Sequence, residues 1–226
     1  MTHIYVTDFA GNPSVGLFVY ATDSYCLVGE SVPDRNVEQI KDALDVPVHQ
    51  LNIAGTSLLG VFLAGNEKTL LVPSIAFSYE LEKLDELKIP YKVIDTKLTA
   101  LGNNIVTNEK GALLNKEFED NVKNQIAKVL DVPVLEEDIF DQSTVGSCLL
   151  LTKKGGIIHK EASDDQIDNL IEFFGVDIDV ATVNRGAPQV ASGVIANSNG
   201  LIVGKLSSGI EVTNVDELLG FLENAQ

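Results

Sequence analysis

The chain is built from an internal repeat. The pentapeptide LDVPV occurs at 44–48 and again at 130–134, and the tripeptide NEK occurs at 66–68 and at 108–110. Laid out at the period that these copies share, the chain aligns five small residues with spacings of 44, 42, 44 and 45 residues: Gly16, Gly60, Gly102, Gly146 and Ala191. Self-similarity at a fixed period of about 20–50 residues is typical of repeat architectures. The repeat therefore constrains the fold more than any local motif does.

Each repeat is predicted to combine strands with one helix. An extended segment such as 48–53 leads through a short loop to the small residue, and an apolar strand such as 61–65 or 147–151 follows. Nine residues after the small residue we predict a hairpin turn, at Tyr25, Thr69, Gly111, Gly155 and Gly200. A second apolar strand comes next, and then apolar residues at helical spacing, as at Ile167, Leu170, Ile171 and Phe174.

The expected helix ends carry their own signals. Ser163 and Gln166 have the spacing of a capping box, and Ser78 is a predicted N-cap. In the fifth helix, the apolar stripe is predicted to run over 215–222. Proline cannot continue a helix, so three prolines are expected to end helices and open the next strand: Pro47, Pro90 and Pro133.

The repeat predicts a closed architecture. A single unit cannot bury its apolar faces alone, and an open stack would need capping repeats. Five units occupy nearly all of the 226 residues, so no sequence is left for caps. We therefore predict a closed five-fold α/β propeller with its helices outside, in which 3–7 completes the ring beside the fifth repeat. We expect one domain with repeats at 1–46, 47–90, 91–133, 134–177 and 178–226.

The charge balance restricts the class of partner. With 33 acidic and 16 basic residues, the formal net charge is -17. Binding by phosphate neutralisation needs clustered Lys and Arg, so a nucleic-acid-binding protein of that kind is disfavoured, as is adhesion to anionic membranes. Solubility alone would also explain the acidity. Any partner that contains nucleic acid should be contacted mainly through a basic protein.

The N-terminal segment MTHIYVTDFAGN has no signal-peptide pattern, and we expect a cytoplasmic protein without a membrane span.

The search for chemistry finds weak patterns. The three histidines have no metal-ligand spacing, and Val61 stands where a phosphate loop beginning at 55 would need lysine. Cys26 and Cys148 are expected to be reduced and unpaired, because they lie on different strands of non-adjacent units. A packed thiol is the natural interpretation of Cys148, since a nucleophile would need an exposed, electropositive setting. No catalytic residue, metal or cofactor is predicted.

The loops before the five small residues are unusual in this acidic chain. Together they contain one arginine and no carboxylate: 12–15, 55–59, 98–101, 142–145 and 185–190. Five-fold symmetry would gather them at one end of the ring. Two interpretations remain open. The loops are tight turns packed around the axis, or they form a binding face, because loops on rigid scaffolds often carry function.

Three of these segments carry a resemblance to a known family. IAGTSLLG at 53–60, LTALGN at 98–103 and TVNRG at 182–186, in that order, resemble the archaeal branch of the translation initiation factor 6 family, whose members have the pentein fold. The segments NPSVGLFVYATDSYCLV at 12–28 and STVGSCLLLTKKGGIIH at 143–159 resemble it too, so all five repeats take part.

The resemblance implies binding rather than catalysis. It implies a factor that binds the large ribosomal subunit on its intersubunit side, chiefly through a basic ribosomal protein, and blocks joining of the small subunit. A role in large-subunit maturation is also implied, as is a monomer without a cofactor. Carried over residue by residue, the ribosome-binding positions are Gly16, Val61, Gly102, Asn103 and Cys148.

The pentein fold leaves an enzymatic alternative. It also occurs in amidinotransferases and deiminases of guanidino compounds, which use a cysteine nucleophile and a histidine at the ring centre. Cys148 would be the nucleophile here. In those enzymes the cysteine comes late in the chain, whereas the fifth repeat of this sequence has neither Cys nor His. We therefore expect a binding protein and not an enzyme.

Overall fold

The computed structural model describes residues 2–222, which form five three-stranded sheets of one pattern. In each sheet a middle strand pairs antiparallel with an inner strand and parallel with an outer strand. The inner strands are Val19–Ala21, Ala64–Gly65, Ile105–Thr107, Leu149–Leu151 and Val194–Ala196. The middle strands are Cys26–Gly29, Leu70–Pro73, Ala112–Leu114, Gly156–His159 and Leu201–Gly204. The outer strands are Val48–Leu51, Tyr91–Ile94, Val134–Glu136, Ile178–Ala181 and Ile4–Thr7.

One long helix follows each middle strand, and we call these the rim helices. They are Asp34–Leu44, Ser78–Glu86, Asp120–Leu130, Asp164–Phe174 and Gly209–Leu218. In the first four units the rim helix is the crossover that a parallel strand pair requires. Its apolar stripe is buried at the positions expected from the spacing, for example at Ile167, Leu170 and Phe174. The hairpin turns are confirmed as well, because each of the five predicted turn residues accepts a backbone hydrogen bond from the residue three positions earlier.

The fifth sheet closes the ring with the N-terminal segment. Ile4–Thr7 pairs in parallel with Leu201–Gly204, with Ile4 opposite Leu201. The prediction that 3–7 completes the ring beside the fifth repeat is confirmed. In the other units the lead-in segment of one repeat likewise pairs with the sheet of the repeat before it, as 48–51 does with 26–29. Every sheet therefore draws its outer strand from the neighbouring repeat.

The buried apolar residues form five clusters instead of one central core. In one of them Ile40 and Leu44 of the first rim helix pack with Ile195 and Ile202 of the fifth sheet. A unit thus buries its apolar side chains against its neighbour, which is why closure stabilises the whole ring. In the described part of the chain, no helix is long and apolar enough to cross a membrane.

One-turn helices, which we call the inner turns, precede the inner strands. They are Val15–Phe18, Leu59–Phe62, Leu101–Asn104, Val145–Cys148 and Val190–Gly193. The small residue was expected in a loop before the strand, and this was wrong, because it is the second residue of the inner turn in every unit. Cys148 was likewise expected inside a strand. It is the last residue of its inner turn, and the strand begins at Leu149.

Three predicted helix ends need correction. Phe77, with extended backbone, precedes the second rim helix, so Ser78 is its first residue and not its N-cap. Ser163 accepts the Gln166 N–H as expected, but the Gln166 side chain bonds to the 137–140 loop instead of closing a capping box. The fifth rim helix ends at Leu218.

The three prolines open strands as predicted, although the helices end before them. Helices ending at Leu44 and Leu130 are followed by Asp45 and Asp131 in the left-handed conformation, with φ of 49° and 57°. The prolines stand directly before the outer strands that begin at Val48, Tyr91 and Val134. The carbonyl of each then accepts a hydrogen bond from the neighbouring middle strand at 2.9 Å.

Candidate functional site

Strand direction places all five inner turns at one end of the ring. Each inner strand runs from its inner turn to the hairpin, and the antiparallel middle strand returns. The rim helices therefore begin at the end that holds the inner turns. We call the inner turns and the loops directly before them the turn face.

The inner turns pack backbone against backbone around the axis. A Cβ atom added at Gly16 would lie 1.9 Å from the carbonyl oxygen of Ala191, and one at Gly60 would lie 1.9 Å from that of Gly16. The same relation joins Gly102 to Gly60 at 2.1 Å and Gly146 to Gly102 at 2.0 Å. No side chain fits at these distances, so four units require glycine. The glycines of these inner turns therefore pack tightly around the axis, and a binding face formed by the loops before them stays a prediction.

The five predicted ribosome-binding residues all lie on inner turns, with different exposure. Val61, Gly102 and Asn103 are partly exposed, whereas Gly16 and Cys148 are buried. The Cys148 side chain has no exposed surface. Burial raises the pKa of its thiol, and the hydrogen bond with Ser147 offsets only part of that rise. The structure therefore brings the five positions to one end of the ring but keeps the Cys148 thiol inside.

Two buried carboxylates, which sequence analysis missed, hold the loops of the turn face in place. Glu80, on the second rim helix, is 2% exposed. It accepts hydrogen bonds from the backbone N–H groups of Ala54 and Gly55 at 2.8 Å and of Phe77 at 2.9 Å. Because 54–55 leads directly into the inner turn 59–62, this carboxylate positions the turn that carries Val61.

Glu211 occupies the equivalent place on the fifth rim helix. It accepts backbone N–H bonds from Ser208 at 2.7 Å and Gly186 at 2.8 Å, and a hydroxyl bond from Thr182 at 3.0 Å. Burial alone would raise the pKa of Glu211, but these donors outweigh it and the pKa is lowered. Ser208 and Glu211 have capping-box spacing, so this anchor could have been found from the sequence. Glu80 has Phe77 at the corresponding position and gives no such signal.

Four of the loops before the inner turns share one compact geometry. An isolated antiparallel bridge closes each of them, between Phe9 and Asn12, Ile53 and Thr56, Ile139 and Gln142, and Val183 and Ala187. The bridged loops contain residues with positive φ, such as Ala10, Ala54 and Phe140. Backbone hydrogen bonds therefore fix the shape of four of the five loops of the turn face, and such loops on a scaffold of sheets and helices often carry function.

The opposite end of the ring holds a cavity of about 240 Å³ around the axis, lined by Asp23, Glu67, Glu109 and Lys153 among others. Its carboxylates brace neighbouring units: Glu67 accepts the Asp23 N–H at 2.7 Å, and Glu109 accepts the Glu67 N–H at 3.1 Å. Lys153 lies 2.8 Å from Asp23. Over residues 2–222, no group of three or more His, Cys, Asp or Glu is arranged to hold a metal ion.

Comparison with known proteins identifies the family. The model of the eIF-6 family matches residues 4–218. The chain belongs to the eIF-6 family. Translation initiation factor 6 of Pyrococcus abyssi is 38% identical over 226 residues, covering 97% of this chain and 100% of the relative. The protein of the same name from Staphylothermus marinus is 38% identical, covering 91% and 92% of the two chains, and that from Haloquadratum walsbyi is 32% identical, covering 96% of each.

One solved structure has a fold similar to that of this chain. The N-terminal domain of ArgZ, with a covalently bound reaction intermediate, matches with a TM-score of 0.51 at 9% identity. The match covers 86% of this chain and 73% of that domain. At this identity the likeness concerns the fold alone, and it confirms the predicted pentein class of five-fold α/β propeller.

Proposed function

We propose that this eIF-6 family member binds the large ribosomal subunit through its turn face and thereby keeps that subunit from joining the small one. A role in maturation of the large subunit is part of the proposal. Membership of the family and relatives named translation initiation factor 6 support an initiation role. The observation that supports the choice of surface is the turn face itself, where five inner turns without a charged residue meet at one end of the ring.

The charge of the chain favours a basic ribosomal protein as the main contact. A formal net charge of -17 would repel rRNA phosphates but speed association with a basic protein surface. Val61, Gly102 and Asn103 would touch that partner, while Gly16 and Cys148 would support the surface from within. On this proposal the protein acts as a monomer in the cytoplasm, where subunits join, and needs no cofactor.

The alternative, a guanidino-modifying enzyme, has less support. Its nucleophile would be Cys148, but a nucleophilic cysteine needs an exposed thiol with a lowered pKa. The Cys148 side chain is fully buried and its pKa is raised. These properties favour binding over catalysis at the turn face, and we propose that the chain is not an enzyme.

The proposal is tested by replacing Asn103 with glutamate. Asn103 is partly exposed on the inner turn Leu101–Asn104, so a glutamate there would bring an unpaired carboxylate into the contact. Burying an imperfectly paired charge costs on the order of 2 kcal/mol or more, which is roughly thirty-fold in affinity. The measurement is co-sedimentation with isolated large subunits, with small subunits for comparison.

Glu172→Gln, which changes an exposed residue on the fourth rim helix, is the matched control and should sediment as the wild type does. Thermal unfolding of both variants separates binding from folding, because an exposed substitution changes stability by only about 0.5 kcal/mol. If Asn103→Glu and Glu172→Gln both sediment like the wild type, the turn face is not the ribosome-binding surface.

A further inference from the structure

A patch of exposed apolar side chains borders the turn face at the second unit. Ile75 is 44% exposed, Phe77 50% and Tyr79 61%. The rings of Phe77 and Tyr79 are stacked, with centroids 5.6 Å apart and an interplanar angle of 16°. We call Ile75, Phe77 and Tyr79 the aromatic patch. Single exposed apolar residues are ordinary, but adjacent large ones that include a stacked pair are typical of interaction sites.

Phe77 of the aromatic patch lies beside the loop that leads to Val61. The Phe77 ring lies 3.1 Å from the Cβ position of Gly55, and Gly55 has a φ of 70°, so both space and backbone conformation favour glycine there. The Phe77 N–H is held by Glu80, the carboxylate that also anchors 54–55. These contacts restrain Phe77, so less conformational entropy would be lost when a partner covers its ring.

The surroundings of the aromatic patch favour a cationic partner. The rim helix that begins there, Ser78–Glu86, exposes the carboxylates Glu82, Asp85 and Glu86. Its lysine, Lys83, is already paired with Glu30 at 3.2 Å. Aromatic faces attract arginine and lysine, and buried aromatic–arginine contacts are frequent hot spots of protein interfaces.

We propose that the aromatic patch receives an arginine or lysine side chain of the basic large-subunit protein that the turn face contacts. This inference rests on the proposed function and extends the contact outward from the second inner turn. Tyr79, the more exposed ring, packs against the cation, and Phe77 supports Tyr79 from the side of Gly55. The patch thereby selects a protein partner over the phosphate backbone of rRNA.

A series of substitutions at Tyr79 tests whether the aromatic face of this residue binds a cation. Tyr79→Phe keeps the aromatic face, Tyr79→Leu keeps an apolar side chain without it, and Tyr79→Ala removes both. A cation–π contact contributes about 1 kcal/mol at a partly exposed site, which corresponds to roughly fivefold in affinity. We expect Tyr79→Phe to bind large subunits within about twofold of the wild type, and Tyr79→Leu and Tyr79→Ala to bind at least about fivefold more weakly.

The matched control is Ile210→Ala. Ile210 is the second residue of the fifth rim helix, as Tyr79 is of the second, and it is 85% exposed. It should bind as the wild type does, and all variants should unfold at the wild-type temperature within a few degrees. Equal weakening by Ile210→Ala and Tyr79→Ala would overturn the proposal, since any exposed apolar residue would then act alike.

Other outcomes separate this inference from the proposed function. If Asn103→Glu weakens binding but Tyr79→Ala does not, the turn face binds the large subunit and the aromatic patch plays no part in that contact. If Tyr79→Leu binds as well as Tyr79→Phe, the contact is apolar and not cationic. A photocrosslinking residue at 79 should label a basic protein of the subunit, and labelling of rRNA instead would overturn the choice of partner. If the wild type fails to sediment with large subunits, both proposals fall.

Discussion

The carboxylate of Glu80 gives the sharpest test of how the turn face is held in place. It receives three backbone N–H groups at 2.8, 2.8 and 2.9 Å in a site where the residue is 2% exposed. Glu80→Gln keeps the size of the side chain but replaces one acceptor oxygen with an NH₂ group. At least one of the N–H groups of Ala54, Gly55 and Phe77 would then face a donor and have no acceptor.

The expected loss follows from this geometry. Leaving one buried donor without an acceptor costs about 1–3 kcal/mol, and hydrogen bonds to a charged acceptor are roughly twice as strong as neutral ones. We therefore expect Glu80→Gln to lower the free energy of unfolding by about 3 kcal/mol. For a chain of this length, that corresponds to a decrease in Tm of roughly 6–12 °C.

The assay is unfolding in guanidinium chloride and by calorimetry, with Glu82→Gln as control because Glu82 is exposed two residues further along the same helix. Hydrogen exchange should also show faster exchange of the Ala54 and Gly55 amides in Glu80→Gln, since local opening of that loop becomes easier. If Glu80→Gln and Glu82→Gln have the same stability within about 0.5 kcal/mol, the carboxylate is not the anchor of the loop.

Three further results are expected. Gly60→Ala should destabilise the fold by at least about 3 kcal/mol in denaturant unfolding, because its Cβ would lie 1.9 Å from the Gly16 carbonyl oxygen and the backbone would have to move. A loss under about 1 kcal/mol would contradict the axial packing. Since the pKa of Glu211 is lowered from 4.5, its contribution to stability is present above that pH and is lost as the pH falls through the folded-state pKa. Glu211→Gln should therefore flatten the acid side of the stability curve, and an unchanged acid side would refute this. Thiol titration should count two free cysteines in denaturant. In the native protein both should react slowly, because Cys26 and Cys148 are buried and their pKa values are raised. A count of zero, or fast reaction in the native protein, would contradict this.

Much of the fold could be predicted from the sequence because its information is local and periodic. The spacing of five small residues revealed five units: Gly16, Gly60, Gly102, Gly146 and Ala191. Within a unit, the change from strand to helical periodicity located the hairpin turns and rim helices. The absence of capping sequence predicted closure by 3–7, which the pairing of Ile4 with Leu201 confirms. The free cysteines were also predicted correctly.

Element boundaries were predicted less well, since neighbours in space decide them. Gly16, Gly60, Gly102 and Gly146 lie in helical turns that bring their backbone against a carbonyl oxygen of the preceding unit in the ring, a contact that no local pattern specifies. The apolar stripe of the fifth helix was extended to Leu222, but the helix ends at Leu218 and Leu222 is 44% exposed. A hydrophobic spacing states which residues could share a helix face and not where the packing partner ends.

The candidate site, too, was predicted only in part from the sequence. Its place at one end of the ring followed from the repeat, because equivalent loops of a closed ring must share one end. Tertiary structure decided which side chains reach solvent there: Asn103 is partly exposed and Cys148 is sealed, although both lie on inner turns. It also decided that Glu80 anchors Ala54, a contact between residues 26 positions apart. Burial and hydrogen bonding depend on segments that meet only when neighbouring units pack, so a one-dimensional pattern cannot contain them.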